Sequence, residues 1–403
     1  MDPAPVYSLA RLHTLPAAER ARRLVAEGRL DGPTLDEAAR TLGVEGAERM
    51  SENVVGVYGL PLSFVPDIPI NGRWVTVPLV TEEPSVVAAV SRAAKVLRAT
   101  KEGITATCNG SNSMCHGMAQ LLIDRGSAAD NGGSLNRCWD EIERFVADKE
   151  IIDTLNEDHP LLTKAGGGCR EIRLVRVDGD EGEVYLEVVV NVVDAMGANS
   201  VSRYASRLAG LVEERFAFVR SLACIVMNAD DERRVEVESH ITVGEYASAT
   251  SLPEEAVEAL FRDVAALSRF AERCPARCYT HNKGVLNGVE AVLLALGQDT
   301  RAVVTANGAL MHRSGRVRPL VSHRYSEAER CLHSRGLIQT PVGTVGGCLR
   351  HQNQAAALVG HLGGTADVMR AVASVALCSN LSALVMLCSP GGIEAGHMPL
   401  ARK

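Results

Sequence analysis

"GEVYLEVVVNVVDAMGANSVSRYASRLAGLVEERF", residues 182–216, joins the most strand-like run of the chain to a helix. Val, Leu and Tyr fill its first half, which reads as a strand ending at Asp194. Gly197 permits close backbone approach, and Asn199 is placed to cap the helix that follows. The free N–H groups of such a helix end can take a pyrophosphate. The G-x-G-x-x-G fingerprint is absent, so a simple capped turn is the default reading of these residues alone.

Upstream of this stretch come a helix, "CWDEIERFVADKEIIDTL" (138–155), and a glycine loop, "KAGGGCREIRLVRV" (164–177). Downstream, "AFVRSLACIVMN" (217–228) and "RRVEVESHITV" (233–243) read as two more strands. Strands mixed with helices predict a compact α/β or α+β unit inserted into a more helical whole.

The flanks fit that plan. "AAERARRLVAEG" (17–28) and "LDEAARTLG" (35–43) are short helices, each stopped by Gly. Residues 52–80 read as an irregular segment punctuated by Gly and Pro, with a strand at "WVTVPLV" (74–80). "EEPSVVAAVSRAAKVLRA" (82–99) reads as a helix with Pro84 in its first turn. Gly, Ser and Asn crowd 105–135 without a period and mark a boundary. From 253 the chain turns helical again, through "PEEAVEALFRDVAALSRFAERC" and "GVLNGVEAVLLALG". It then runs through strands and turns to about 350 and ends in two helices. The uncharged run 371–389 matches a bilayer in length, but Asn380 and its serines make it a buried core helix.

Composition narrows the function. The chain has 403 residues, 46% hydrophobic and 23% charged, which suits a soluble globular protein of two or three domains. A net charge of −7 and the lack of a long Lys/Arg cluster exclude nucleic acid as the main partner. The start, "MDPAPVYSLARLHTLP", has no secretory core, so the eleven cysteines are expected as reduced thiols in the cytoplasm. Cys274 and Cys278, or Cys115 and His116, lack a second ligand pair at zinc-finger spacing, and no metal is expected.

Four places can carry chemistry. "TEEPS" sets Glu82 and Glu83 before a helix start, where carboxylates routinely complement the dipole; an acid there needs burial or a second carboxylate to hold its proton. "THNKGVLNG" (280–288) sets Lys283 at or just before a helix start, against the dipole, with Asn287 one turn on. The third is the 192–206 turn, and the fourth is "PVGTVGGCL" (341–349), a ligand approach or merely a bend.

Taken in order, these residues resemble the class II, soluble 3-hydroxy-3-methylglutaryl-coenzyme A reductases. The resemblance rests on "ENVVG" (52–56), "PLVTEEPSVVAA" (78–89), "GGGCR" (166–170), "DAMGAN" (194–199), "THNKGVLNG" to "ALGQD" (280–299), "PVGTVGG" (341–347) and "GHM" (396–398). It implies an α+β fold: a large, mainly helical domain (1–110 and 229–388) holding an inserted ferredoxin-like cofactor domain (111–228), with 389–403 as the remnant of a C-terminal flap. It implies reduction of a coenzyme A thioester by two hydrides to mevalonate and free coenzyme A, or the reverse oxidation. The implied enzyme is a cytoplasmic homodimer or higher oligomer with its active site between subunits, and neither nucleic acid nor membrane is a partner.

By position the resemblance makes Glu83, Lys283, Asp299 and His397 the catalytic four. Ser85, Arg277 and Asn287 fall on the hydroxymethylglutaryl part, and Asp194, Met196, Gly197, Asn199 and Asn228 on the dinucleotide. Lys283 would stabilise charge on the reacting oxygen without a metal, Glu83 would supply a proton, Asp299 would lie beside them, and His397 would protonate the leaving thiolate. A continuous helix would separate Lys283 from Asp299 by roughly 24 Å, so the chain must break, at Gly297, and fold back. NAD-using members place an aspartate ten residues before the Cys of "GGGC". Here that position is His159, with Asp158 beside it, which leaves NADH or NADPH with NADPH favoured. Members also continue past the histidine into a flap, which this sequence does not show. The alternative is a non-catalytic or half-reaction relative that binds an acyl-coenzyme A thioester as a partner or regulatory subunit.

Overall fold

Asn71 and Gly72 both take positive φ, 47° and 76°, as a tight hairpin turn requires. They join strand β1 (Leu62–Ile70) to β2 (Arg73–Val80), antiparallel, with Ile70 opposite Arg73. The segment expected to be irregular therefore holds a strand. Pro66 and Pro69 are tolerated because the register shifts between Val65 and Ile68, and because the other edge of β1 meets a neighbour only at Ile70.

The computed structural model describes residues 9, 12–40, 42–109, 113–130, 134–175, 182–229 and 232–392. The remaining described strands are β3 (Ile104–Asn109), β4 (Met114–Ile123), β5 (Gly168–Val175), β6 (Glu183–Asn191), β7 (Val219–Met227), β8 (Arg234–Thr242), β9 (Val321–Ser326) and β10 (Cys331–Gln339). The stretch 105–135, expected as a boundary, thus contains most of β3 and all of β4. Small residues carry its alternation: Ala106 is buried between exposed Thr105 and Thr107. The chain divides into two compact units, Met1–Asn109 with Arg234–Lys403, and Gly110–Arg233.

In the larger unit the sheet order is β2-β1-β3-β8-β10-β9. The apolar run near the end forms the helix Thr365–Cys388, long enough to cross a membrane yet buried over most of its length in this unit's core. Its Asn380 accepts a hydrogen bond from Nε2 of His323 at 2.9 Å and donates to the His281 carbonyl at 3.5 Å. His323 Nδ1 faces the Ser334 hydroxyl at 2.8 Å, and His281 Nε2 donates to the Val321 carbonyl at 2.8 Å. These bonds pin the helix Pro275–Ala295, which carries Lys283, against the core.

Burial pushes both histidines down to about 4. Each is neutral when folded, whereas the unfolded chain takes up protons below about pH 6.5. Their stabilising contribution is therefore complete above that pH and is lost as pH falls toward 4, on the order of 3 kcal/mol each. Unfolding free energy from urea titrations should fall over this window more steeply in the wild type than in His323→Gln. Equal slopes would contradict the assignment.

The smaller unit has sheet order β5-β6-β4-β7, with every neighbour antiparallel. The helix Ala198–Arg215 lays Val201, Tyr204, Ala205, Leu208 and Val212 into this unit's core at helical spacing. Helices lie between β4 and β5, and one lies between β6 and β7, giving the β-α-β-β-α-β ferredoxin-like plan. The architecture is the α+β one expected.

Candidate active site

Glu83 follows β2 in a short turn, where its N–H donates to the Thr81 hydroxyl at 3.1 Å. The next helix is Val86–Leu97, so Pro84 precedes it rather than filling its first turn, and Ser85 at its N-cap has a left-handed φ of 74°. Lys283 is not at a helix start. Pro275 opens its helix eight residues earlier, directly after Cys274, so the dipole conflict read from the sequence does not exist. Lys283 instead projects from mid-helix toward Glu83, its Nζ 3.2 and 3.1 Å from the two carboxylate oxygens. Asn287, one turn on, donates to the same carboxylate at 3.3 Å.

A further turn brings Glu290 to this face, at the i, i+4, i+7 spacing that would have marked it in the sequence. Glu290 is exposed on the single chain; partial desolvation raises its carboxyl, Lys283 lowers it, and Glu82 and Glu83 raise it further. A second carboxylate is thus electrostatically linked to the Glu83–Lys283 pair.

Other expected residues stand elsewhere. The Lys283 helix ends at Ala295, Gly297 takes φ 58°, and the chain turns as anticipated. Asp299, however, caps the helix Thr300–His312 by accepting from the Ala302 N–H at 3.0 Å, with Arg301 3.8 Å away. Among the described residues no hydrogen bond or ion pair joins Asp299 to Lys283 or Glu83, because capping its own helix directs its carboxylate to the local backbone. Arg277 lies six residues before Lys283, about 120° round the helix, and among the described residues no hydrogen bond or ion pair joins it to the cluster. Ser85 borders a cavity of about 1820 Å³ whose wall includes Arg49, Arg92, Lys95, Arg98 and Arg350, a setting for a polyanion. His397, with the rest of the expected flap remnant past residue 392, lies outside the described residues.

In the smaller unit, antiparallel register gathers several chain segments at one end of the sheet. Gly168 and Met114 both pair with Asn191, and His116 pairs with Met227. The glycine loop, the 194–199 turn and Asn228 therefore share that end. Gly197, not Asn199, is the N-cap, with φ 101° and no side-chain cap bond; Asn199 lies in the helix's first turn. A Cβ at Gly197 would lie 2.9 Å from the Val192 methyls, so any side chain would push the turn apart. Asp194 and Asn199 are exposed and Met196 half-buried, on a turn whose helix end presents unsatisfied N–H groups.

The sequence reading missed the anchor of this turn. Arg233, 1% exposed, donates to the carbonyls of Met114, Met196 and Ala195 at 2.8, 2.7 and 3.2 Å. It lies in "DDERRVEVE", which reads as a charged surface turn and gives no signal of burial. The His159 ring packs on Tyr204 with centroids 4.1 Å apart, and burial lowers its pKa, with Arg203 adding to the shift. Its neighbour Asp158 is paired with Arg207 at 2.6 Å.

Residues 17–402 match the profile of the family Hydroxymethylglutaryl-coenzyme A reductase. The chain is 32% identical over 365 residues to the 3-hydroxy-3-methylglutaryl-coenzyme A reductase of Archaeoglobus fulgidus, covering 89% of this chain and 77% of that protein. It is 28% identical to a probable enzyme of the same name from Borreliella burgdorferi, covering 87% and 76%. In three dimensions it resembles the class II enzyme of Streptococcus pneumoniae, solved with NADPH in open conformations. The TM-score is 0.83 at 28% identity, over 95% of this chain and 100% of that one.

Proposed function

The chain belongs to the hydroxymethylglutaryl-coenzyme A reductase family, and on that premise we propose that the Glu83–Lys283–Asn287 cluster is its catalytic centre. The protein reduces 3-hydroxy-3-methylglutaryl-coenzyme A to mevalonate and coenzyme A with NADPH. The observation that carries the site assignment is the Lys283 ammonium within 3.2 Å of both Glu83 oxygens.

The smaller unit fits a nicotinamide dinucleotide: a glycine cradle, an exposed helix N-terminus and, near His159, Arg203 with Asp158 neutralised by Arg207. Bound there, the cofactor supplies the hydride of each of the two reductions. Lys283 stabilises the negative charge that develops on the thioester oxygen, and later on the aldehyde oxygen. Glu83, oriented by Asn287, delivers the proton that turns the second oxyanion into the alcohol. Glu290 helps hold a proton in the cluster through charge repulsion with Glu82 and Glu83. His397 protonates the departing coenzyme A thiolate, and Asp299 joins the cluster only if its carboxylate leaves the Ala302 cap. The basic cavity beside Ser85 receives the phosphates of coenzyme A.

A coupled assay of NADPH oxidation, with the thioester and then with mevaldehyde, tests the activity. Binding without turnover of either would overturn it. An arginine at the ribose favours a 2′-phosphate. NADPH should therefore be preferred over NADH, and Arg203→Ala should raise KM for NADPH roughly tenfold, an effect of about 1.4 kcal/mol, while leaving NADH unaffected. Equal turnover with both cofactors would refute the preference.

The working state is a soluble, cytoplasmic homodimer with its site at the subunit interface. Val55 and Tyr58, in and beside "ENVVG", are 100% and 91% exposed on the single chain, and the Lys283 side chain is 63% exposed. Apolar side chains so placed suit an interface. Light scattering that gives one chain's mass at assay concentration would overturn this.

A further inference from the structure

We propose that His240, Cys331 and His333 bind one divalent transition-metal ion of the zinc class, clamping β8 to β10 away from the catalytic cluster. The antiparallel register sets His240 directly opposite His333, and Cys331 two residues before His333 shares its face of β10. The neighbouring Leu332 and Ser334 turn inward to the core instead. One ring nitrogen of His240, one of His333 and Cys331 Sγ lie within 4.8 Å of one another. Spacing rules are blind to the set, because the sheet brings together residues far apart in sequence.

The surroundings are those of a ligand set rather than of a plain hydrogen-bonded pair. Glu329 lies 2.6 Å from Nε2 of His333 and accepts the hydrogen bond of its N–H, the tautomer that leaves the lone pair on Nδ1. A carboxylate on the far nitrogen is the usual partner of a metal-bound imidazole. Nδ1 of His240 stands 2.8 Å from Nδ1 of His333, a hydrogen bond that a bound ion replaces as the His240 proton moves to Nε2. Cys331 is buried beside the two imidazoles. Tetrahedral zinc with two imidazoles and a thiolate separates its ligand atoms by about 3.3–3.6 Å. Small side-chain rotations on rigid strands supply that spacing. Exposed His240 leaves a fourth position open to water.

The test titrates cobalt(II) into the chelator-stripped full chain. The expected result is one ion per chain, with tetrahedral d–d absorption and a thiolate-to-cobalt band, both displaced by zinc. Cys331→Ser should lose the thiolate band, and His240→Gln should lose tetrahedral binding. Glu329→Gln should bind about 10–100-fold more weakly with unchanged reductase turnover. His240 is solvent-facing, so His240→Gln keeps its fold, checked by circular dichroism, even if Cys331→Ser does not. An octahedral spectrum, no saturable binding, or a thiolate band that persists in either variant would overturn the proposal.

Discussion

Lys283→Ala should lower kcat by about 10²–10³, equivalent to about 2.7–4 kcal/mol of lost transition-state stabilisation, with a much smaller effect on KM. The charge Lys283 opposes exists on the substrate oxygen only as hydride arrives, so its loss falls on the chemical step. The fold should survive. The side chain is 63% exposed in mid-helix, where alanine is a strong helix former. Glu83→Gln should cost about 10²–10⁴. Because the two groups form one contact, the double variant should lose far less than the product of the single losses. His397→Ala should cost less than either, since a thiolate leaves readily without an acid. Stopped-flow NADPH oxidation with the thioester and with mevaldehyde measures each half-reaction. Turnover of Lys283→Ala within tenfold of wild type on both substrates, or an equally severe loss from His397→Ala, would sink this account.

Local chemistry made some features legible in the sequence and hid others. The strand, turn and helix of 182–216 announced themselves through β-branched density, one glycine and a clear helical period, and the structure has all three. Lys283 and Asn287 could be paired because helix spacing is local. Their contact with Glu83 could not be, since it crosses two hundred residues of chain. The error about the Lys283 dipole arose at Cys274, where one helix ends and Pro275 at once begins the next, so no loop residues mark the junction. The hairpin at Asn71–Gly72 was overlooked because two prolines obscured its first strand. Asp299 illustrates the opposite limit: its type suits both a catalytic neighbour and a helix cap, and the single chain uses it as a cap.

Arg233→Met should destabilise the smaller unit by about 2–5 kcal/mol and raise KM for NADPH roughly tenfold at nearly unchanged kcat. Three carbonyls converge on this guanidinium, two of them from the Ala195–Met196 turn that precedes the Gly197 helix cap. Hydrogen bonds to a charged donor contribute about 1.5–3 kcal/mol each, and carbonyls left buried without a donor add a further cost. Against this stands the return of the guanidinium's own desolvation, which keeps the total below the simple sum. Arg233→Lys should recover part of the stability but little of the cofactor affinity, because a single ammonium cannot reproduce the planar fork that spans three acceptors. Denaturant unfolding followed by circular dichroism reads the first effect, and the KM-against-kcat split reads the second. Hydrogen exchange at 194–200 should accelerate in the variant and slow again when NADPH is added. Wild-type stability together with an unchanged KM would mean that the turn holds its shape without Arg233, through the strain-permissive Gly197 alone.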